Sequence, residues 1–203
     1  MTRPVVTFDE AAHAYTVNGE PVPSVTQVIT SVIGSGFEGI HDPAYYKQRG
    51  RAVHACGAFM AQGVEFECDP AIEGHVTGLR AFWRDVAPAV ILYERAVGSR
   101  LYRFAGTPDL LAKANFSRFP MLFDYKSSMS EDRCRIQLGG YSLALLETTG
   151  QDIKHGFGVW LRGDGTYRMT KPFDLVRARG EFLALRTTYS IMELVGSQKL
   201  LEE

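Results

Sequence analysis

The apolar and polar positions of this chain fall into segments with two different periods. At the start, Val5, Val6 and Phe8, then Tyr15 and Val17, flank a polar middle, which predicts a β-hairpin, and Asn18-Gly19 adds a tight-turn signal. Ser24-Val25-Thr26-Gln27 has the spacing of a capping box, so a short helix opens at Ser24 and ends in a loop carrying Gly34, Gly36 and Gly39. Asp42-Pro43 opens a helix to about Ala61, and a second helix covers about Ala71 to Asp85 before Pro88 stops it. The period then shortens. Val90 to Glu94, Leu101 to Phe104, Leu110 to Ala112 and Met121 to Tyr125 read as short strands separated by glycine, proline and polar turns. Leucines at helical spacing return from about Glu131 to Thr148. Strands follow near Gly156 to Arg162 and Thr166 to Lys171, joined by Gly163-Asp164-Gly165, and a last helix runs from about Asp174 to Val195. This order predicts an α/β fold with a mixed central sheet flanked by helices. It reads as one domain over 1–203: an N-terminal hairpin and helix (1–40), a helical region (41–88) and a sheet-bearing core (89–203).

Composition narrows the class without choosing a function. The chain has 203 residues, 45% hydrophobic and 22% charged, enough for a core without disulfides or structural metal. Three cysteines, Cys56, Cys68 and Cys134, are widely spaced, which argues against a disulfide framework, a cysteine-rich zinc site and a four-cysteine iron–sulfur cluster. No apolar stretch reaches the roughly 20 residues of a membrane span, and Met1-Thr2-Arg3-Pro4 does not begin a secretory signal. A cytoplasmic protein without membrane contact is expected. The net charge of -1 is not that of a nonspecific nucleic-acid coat, although a local basic groove would suffice for an enzyme.

The chemistry concentrates in Gly106-Thr107-Pro108-Asp109 and Asp124-Tyr125-Lys126. Asn115, Ser117 and Pro120 between them suit a turn. If residues 109 and 124 lie on adjacent strands of a hairpin, the two carboxylates come together. Asp124 and Lys126 are two apart and face the same side of their strand. Two adjacent carboxylates repel, and a divalent cation resolves that repulsion. Such an ion activates water toward a phosphodiester, and a lysine beside it orients the water or stabilises phosphoryl charge. An Asp-x-Lys triplet by itself is more often solvated surface charge. Leu122, Phe123 and Tyr125 argue otherwise here, because they make the strand a buried one.

Gly-x-Pro-Asp followed after a short hairpin by Asp-x-Lys resembles the PD-(D/E)XK nuclease superfamily, whose fold is a restriction-endonuclease-like αβββαβ core. Gln137-Leu138-x-x-Tyr141 on the next helix and Gly50-Arg51-Ala52-Val53-His54 upstream resemble its RecB-like and phage-type exonuclease branch. The resemblance spans about residues 50 to 142. It implies that His54, Asp109, Asp124 and the Tyr125 carbonyl bind Mg2+ or Mn2+. Lys126 would be the catalytic lysine, and Gln137 and Tyr141, four apart on one helix face, would support the site. Glu94, ending the strand before the hairpin, stands where related nucleases often carry an acid. Lys47, Arg51, Arg133 and Arg135 are candidate phosphate contacts, and Tyr45 and Tyr46 are candidates to stack on bases.

The activity implied is a metal-dependent deoxyribonuclease, an exonuclease acting at single- or double-stranded DNA ends in recombination, repair or phage DNA processing. A recombination or single-strand-binding protein is a further partner in that setting. A structure- or site-specific endonuclease would use the same residues. A nonhydrolytic DNA-binding module descended from a nuclease is a third reading, disfavoured by the intact His54, Asp109, Asp124 and Lys126 set. No iron–sulfur cysteines accompany the motifs.

Overall fold

A computed structural model of the chain describes residues 2–35, 42–128 and 130–202. The N-terminal hairpin extends to a three-stranded antiparallel sheet, β1 (Val6–Asp9), β2 (Ala14–Val17) and β3 (Glu20–Val22). Asn18 and Gly19, both at positive φ, turn β2 into β3, a strand the sequence did not predict. The capping box closes as expected. Ser24 Oγ accepts from Gln27 N–H at 3.0 Å, and the Gln27 side chain accepts from Ser24 N–H at 2.7 Å, starting α1 (Val25–Ile33). Gly34 ends that helix, while Gly36 and Gly39 lie outside the described residues.

Helix α2 (Pro43–Gln62) begins where Asp42-Pro43 predicts. A 3-10 turn then leads into α3 (Glu73–Val86). The strands that follow are β4 (Ala89–Tyr93), β5 (Val97–Ser99), β6 (Phe104–Gly106), β7 (Leu110–Lys113) and β8 (Pro120–Lys126). After α4 (Glu131–Thr149) come β9 (His155–Leu161), β10 (Tyr167–Met169), β11 (Phe173–Asp174) and α5 (Leu175–Glu202).

The main sheet has the order β10-β9-β8-β7-β4, with β11 also on β9. Only β8 and β9 are parallel, so the sheet is mixed, as predicted. The side-chain period of two then sorts its residues between two cores. Leu111 and Leu122 face α1, α4 and α5, where Val28, Leu138, Leu145 and Phe182 are buried. Leu110, Ala112, Phe123 and Tyr125 face α2 and α3, against Val53, Val76, Leu79 and Phe82. Helices therefore cover both faces.

One expected strand is wrong. Leu101, Tyr102 and Arg103 form the turn between β5 and β6, and Leu101 is 72% exposed. Side chains from two helices satisfy its backbone in place of a ladder. The Glu147 carboxylate accepts from the N–H groups of Arg100 (3.0 Å) and Leu101 (3.2 Å), and Arg186 donates to the carbonyls of Tyr102 and Arg103, each at 3.0 Å. The strand lies earlier, at Val97–Ser99, whose three residues are all buried.

Helices α4 and α5 approach closely at Gly139, where a Cβ would lie 2.4 Å from the carbonyl carbon and oxygen of Ala178. Backbone cannot yield there as a side chain would. Gly139→Ala should therefore destabilise the protein by about 1–3 kcal/mol, read from the midpoint of urea unfolding. Gly180→Ala is the control, because nothing lies within 4 Å of its Cβ position. In that variant helix propensity alone should act, giving no loss or a gain of about 0.5–1 kcal/mol.

Candidate active site

The register of β7 and β8 pairs Leu110 with Phe123, so Asp109, one residue before β7, arrives beside Asp124. By the period of two, Asp109, Asp124 and Lys126 all lie on the α4 side of the sheet. Asp124 is completely buried and Asp109 nearly so. Lys126 Nζ lies 2.6 Å from Asp124 Oδ2, and Cys134 Sγ of α4 donates to the same oxygen at 3.4 Å. The other oxygen, Asp124 Oδ1, is buried without a hydrogen-bond partner. Asp109 Oδ2 accepts from the Tyr125 backbone N–H at 2.6 Å, which ties the two motifs together across the hairpin.

His54 reaches this centre from α2. Its Nδ1 is 3.1 Å from Glu94 Oε1 and 3.5 Å from Asp109 Oδ1. Two contacts aim it. Tyr93 Oη donates to the His54 carbonyl at 2.7 Å, and Glu94 turns back at φ +39 with its N–H on the Asp109 carbonyl at 3.1 Å. A non-glycine residue in that left-handed conformation persists only where its surroundings hold it.

Charge in the cluster follows from these distances. Burial alone would lower the His54 pKa, but the Asp109 charge and the Glu94 hydrogen bond outweigh it and raise it to about 9. His54 is thus an imidazolium at neutral pH, not a histidine titrating near its ordinary value. Burial pushes Asp109 up to about 6, opposed by His54 and helped by Asp124. Burial would also lower Lys126, yet the charges of Asp124 and Asp109 lift it above the usual lysine range. The Cys134 thiol is pushed up by burial and then by Asp124.

A cleft of about 1130 Å³ opens over this centre. His54, Glu94, Asp109, Tyr125, Lys126, Gln137 and Tyr141 all line it. Gln137 Nε2 donates to Tyr141 Oη at 2.9 Å, and the Tyr141 ring packs so close to Gly106 that a Cβ there would sit 2.7 Å from Cε1. The glycine of Gly-Thr-Pro-Asp is needed for this approach of α4, not for its own φ. Of the residues expected to meet DNA, Tyr46, Lys47 and Arg51 line the cleft.

Arg133 and Arg135 do not line it. Arg133 donates to the Ile33 and Gly34 carbonyls at 3.1 and 2.6 Å, closing the C-terminal end of α1. Arg135 binds Glu181 and Asp132 at 2.8 and 2.6 Å. In the free protein both guanidiniums are engaged in packing α4 on its neighbours. The Tyr45 and Tyr46 rings meet each other edge-on and carry the Arg49 guanidinium at 5.8 and 4.7 Å, so both are already partly engaged.

Thr107, Arg95 and Tyr15 are among the cleft residues that sequence reading did not assign to the site. Cys134 escaped as a neighbour of Asp124, although 134, 138 and 141 form one helical face. All three cysteines are free thiols. No helix among the described residues is long and apolar enough to cross a membrane.

No protein-family model matches the chain, and no curated protein matches it. Solved structures do. LHK-Exo in complex with dAMP aligns over 89% of this chain and 94% of its own, at 12% identity and a TM-score of 0.44. A structure of the alkaline exonuclease LHK-Exo from Laribacter hongkongensis aligns over 87% and 93%, also at 12% identity, with a TM-score of 0.39.

The raised pKa values make a prediction for the protein in chelator. Folded His54 holds its proton up to about pH 9, against 6.5 for an ordinary histidine; folded Asp109 holds its proton to about 6, against 3.8. In both windows the folded state binds more protons than the unfolded chain, so stability falls as pH rises. The His54 contribution is complete below 6.5 and lost by about 9. Urea midpoints should therefore be lower at pH 9 than at pH 6, and His54→Asn should remove most of that difference. Equal pH dependence in wild type and variant would show that His54 does not hold the proton.

Proposed function

We propose that this protein is a metal-dependent nuclease that hydrolyses DNA phosphodiester bonds, acting at DNA ends. The observation that carries the reading is the meeting of Asp109, Asp124 and Lys126 on one sheet face under an open cleft, in the order and spacing of the PD-(D/E)XK pattern. His54 joining them from α2 supports the RecB-like branch.

The residues fit a divalent cation, although not as a ready-made cage. Among the described residues, no three His, Cys, Asp or Glu side chains converge closely enough to form one. The centre is instead balanced internally, by Lys126 on Asp124 and protonated His54 between Glu94 and Asp109. The buried Asp124 Oδ1 has no partner, and an ionised carboxylate oxygen without one is what a cation satisfies. Asp109, Asp124, neutral His54 and the Tyr125 carbonyl would hold Mg2+ or Mn2+, and Glu94, which already meets His54 Nδ1, would fix the imidazole. When bound, the ion supplies Lewis acidity toward the phosphoryl group and lowers the pKa of attacking water.

The chain does the rest. Lys126, a cation at every working pH, orients that water or stabilises charge on the phosphoryl oxygens. The hydrogen-bonded pair Gln137–Tyr141 borders the same space and would position the scissile strand. Lys47 and Arg51 on α2 would take its flanking phosphates. DNA recombination, repair or phage DNA processing is the setting in which such an enzyme works.

The test uses end-labelled linear DNA and closed circular DNA, with Mg2+, Mn2+ or chelator. Linear DNA should be degraded with either metal, and circles should survive. Nicked circles would mean an endonuclease; binding without cutting would mean a DNA-binding module. Asp109→Asn and Asp124→Asn preserve shape and should each lower the rate at least about 100-fold, the scale of losing one preorganised electrostatic group. Because the residues act as a unit, the double variant should be little slower than either single one. Lys126→Ala is less clean, since it leaves buried Asp124 unpaired, which costs about 3–5 kcal/mol in a buried pair. Wild-type turnover by folded Asp124→Asn would sink the assignment.

A further inference from the structure

Part of the cleft is left unused by this chemistry. It is bordered by Phe8 of β1, His13 of the β1–β2 turn and Tyr15 of β2. Phe8 and Tyr15 are direct cross-strand partners, with rings stacked 4.5 Å apart at 27°. His13 meets Phe8 edge-on at 5.3 Å. The turn that presents it is held by Asp9 Oδ1, which accepts from Ala12 N–H at 3.0 Å, and His13 sits at φ +49, a left-handed turn conformation that histidine adopts more readily than most residues.

The same sheet face is dry further along, where Val6 and Val17 pack over Gly98. It thus begins as core and ends as an aromatic surface open to the cleft. Tyr15 is buried, and cross-strand packing accounts for it; Phe8 is 37% exposed and His13 is exposed, and packing does not account for them. Tyr15 Oη lies 2.9 Å from Thr107 Oγ1, two residues before Asp109, so the surface is tied to the catalytic motif.

We infer that Phe8, framed by His13 and Tyr15, is a stacking platform for an unpaired base of the DNA strand that enters the site. The inference rests on the nuclease reading above. Lys47, Arg51 and Arg95 line the same cleft, so the phosphates of such a strand meet cations while a base meets the ring. Paired bases are stacked on each other and leave no face for Phe8. The platform therefore selects single-stranded or frayed ends over blunt duplex.

The test is equilibrium binding of a labelled single-stranded oligonucleotide and of a blunt duplex containing the same sequence, in an Asp124→Asn background so that bound DNA is not cut. Phe8→Leu keeps apolar packing on Tyr15 but removes the aromatic face. It should weaken single-strand binding roughly 5- to 150-fold, the range for one base–aromatic stack, and leave duplex binding within about 2-fold. Phe8→Trp should bind the single strand at least as tightly as the parent, an arm that stands even where leucine disturbs the hairpin. A 2-aminopurine base in the oligonucleotide should be quenched on binding with Phe8 or Trp, and not with Leu. Unchanged single-strand affinity in Phe8→Leu, or equal loss for both DNAs, overturns the platform. If the unaltered protein still degrades DNA in that case, the nuclease reading survives. If it neither binds nor cuts any DNA, both fall.

Discussion

Asp124 sits with no solvent access in the middle of the main sheet, and its charge is met by Lys126 at 2.6 Å. Desolvating a carboxylate costs several kcal/mol, so this pair constrains everything placed around it. The lysine must be two residues on, to share the strand face. The second carboxylate, Asp109, then needs a cation of its own, and His54 comes from 55 residues earlier to supply it, held by Tyr93 and Glu94. The balance is three carboxylates, Asp124, Asp109 and Glu94, against two cations, Lys126 and His54. That balance also explains why the carboxylates can coexist in the free protein: His54 is kept protonated well above its ordinary value by the charges a metal would otherwise neutralise.

How much of this a sequence shows depends on the range of the interaction. The capping box at Ser24, the β7–β8 hairpin and the shared face of Asp124 and Lys126 are local, and residue type plus period sufficed for them. The mixed sheet followed from the element order. The packing partners of Arg133 and Arg135 were not legible, because a basic residue free to meet a ligand and one closing another helix look alike in sequence. Their partners, Ile33, Gly34 and Glu181, lie 100, 99 and 46 residues away. Leu101 to Phe104 misled for a related reason. Its apolar run fits a strand, but Glu147 and Arg186, both distant in the chain, make it a turn. The His54 charge state was equally invisible, since it depends on burial and on carboxylates from two other elements.

The motif Gly106-Thr107-Pro108-Asp109 shows why a short pattern can carry so much. Gly106 ends β6 and admits the Tyr141 ring. Thr107 bonds Tyr15 and so joins the N-terminal sheet to the site. Asp109 takes the Tyr125 N–H with one oxygen and faces His54 with the other. Neighbouring positions thus meet α4, the N-terminal sheet, β8 and α2. Next to them, Ala105 donates its N–H to the Pro23 carbonyl at 3.0 Å, just before α1 begins. Elements from both halves of the chain converge on these few residues, and the cleft floor and its walls are fixed relative to each other there. The charged centre and the aromatic surface that borders it are therefore joined through the same four-residue link.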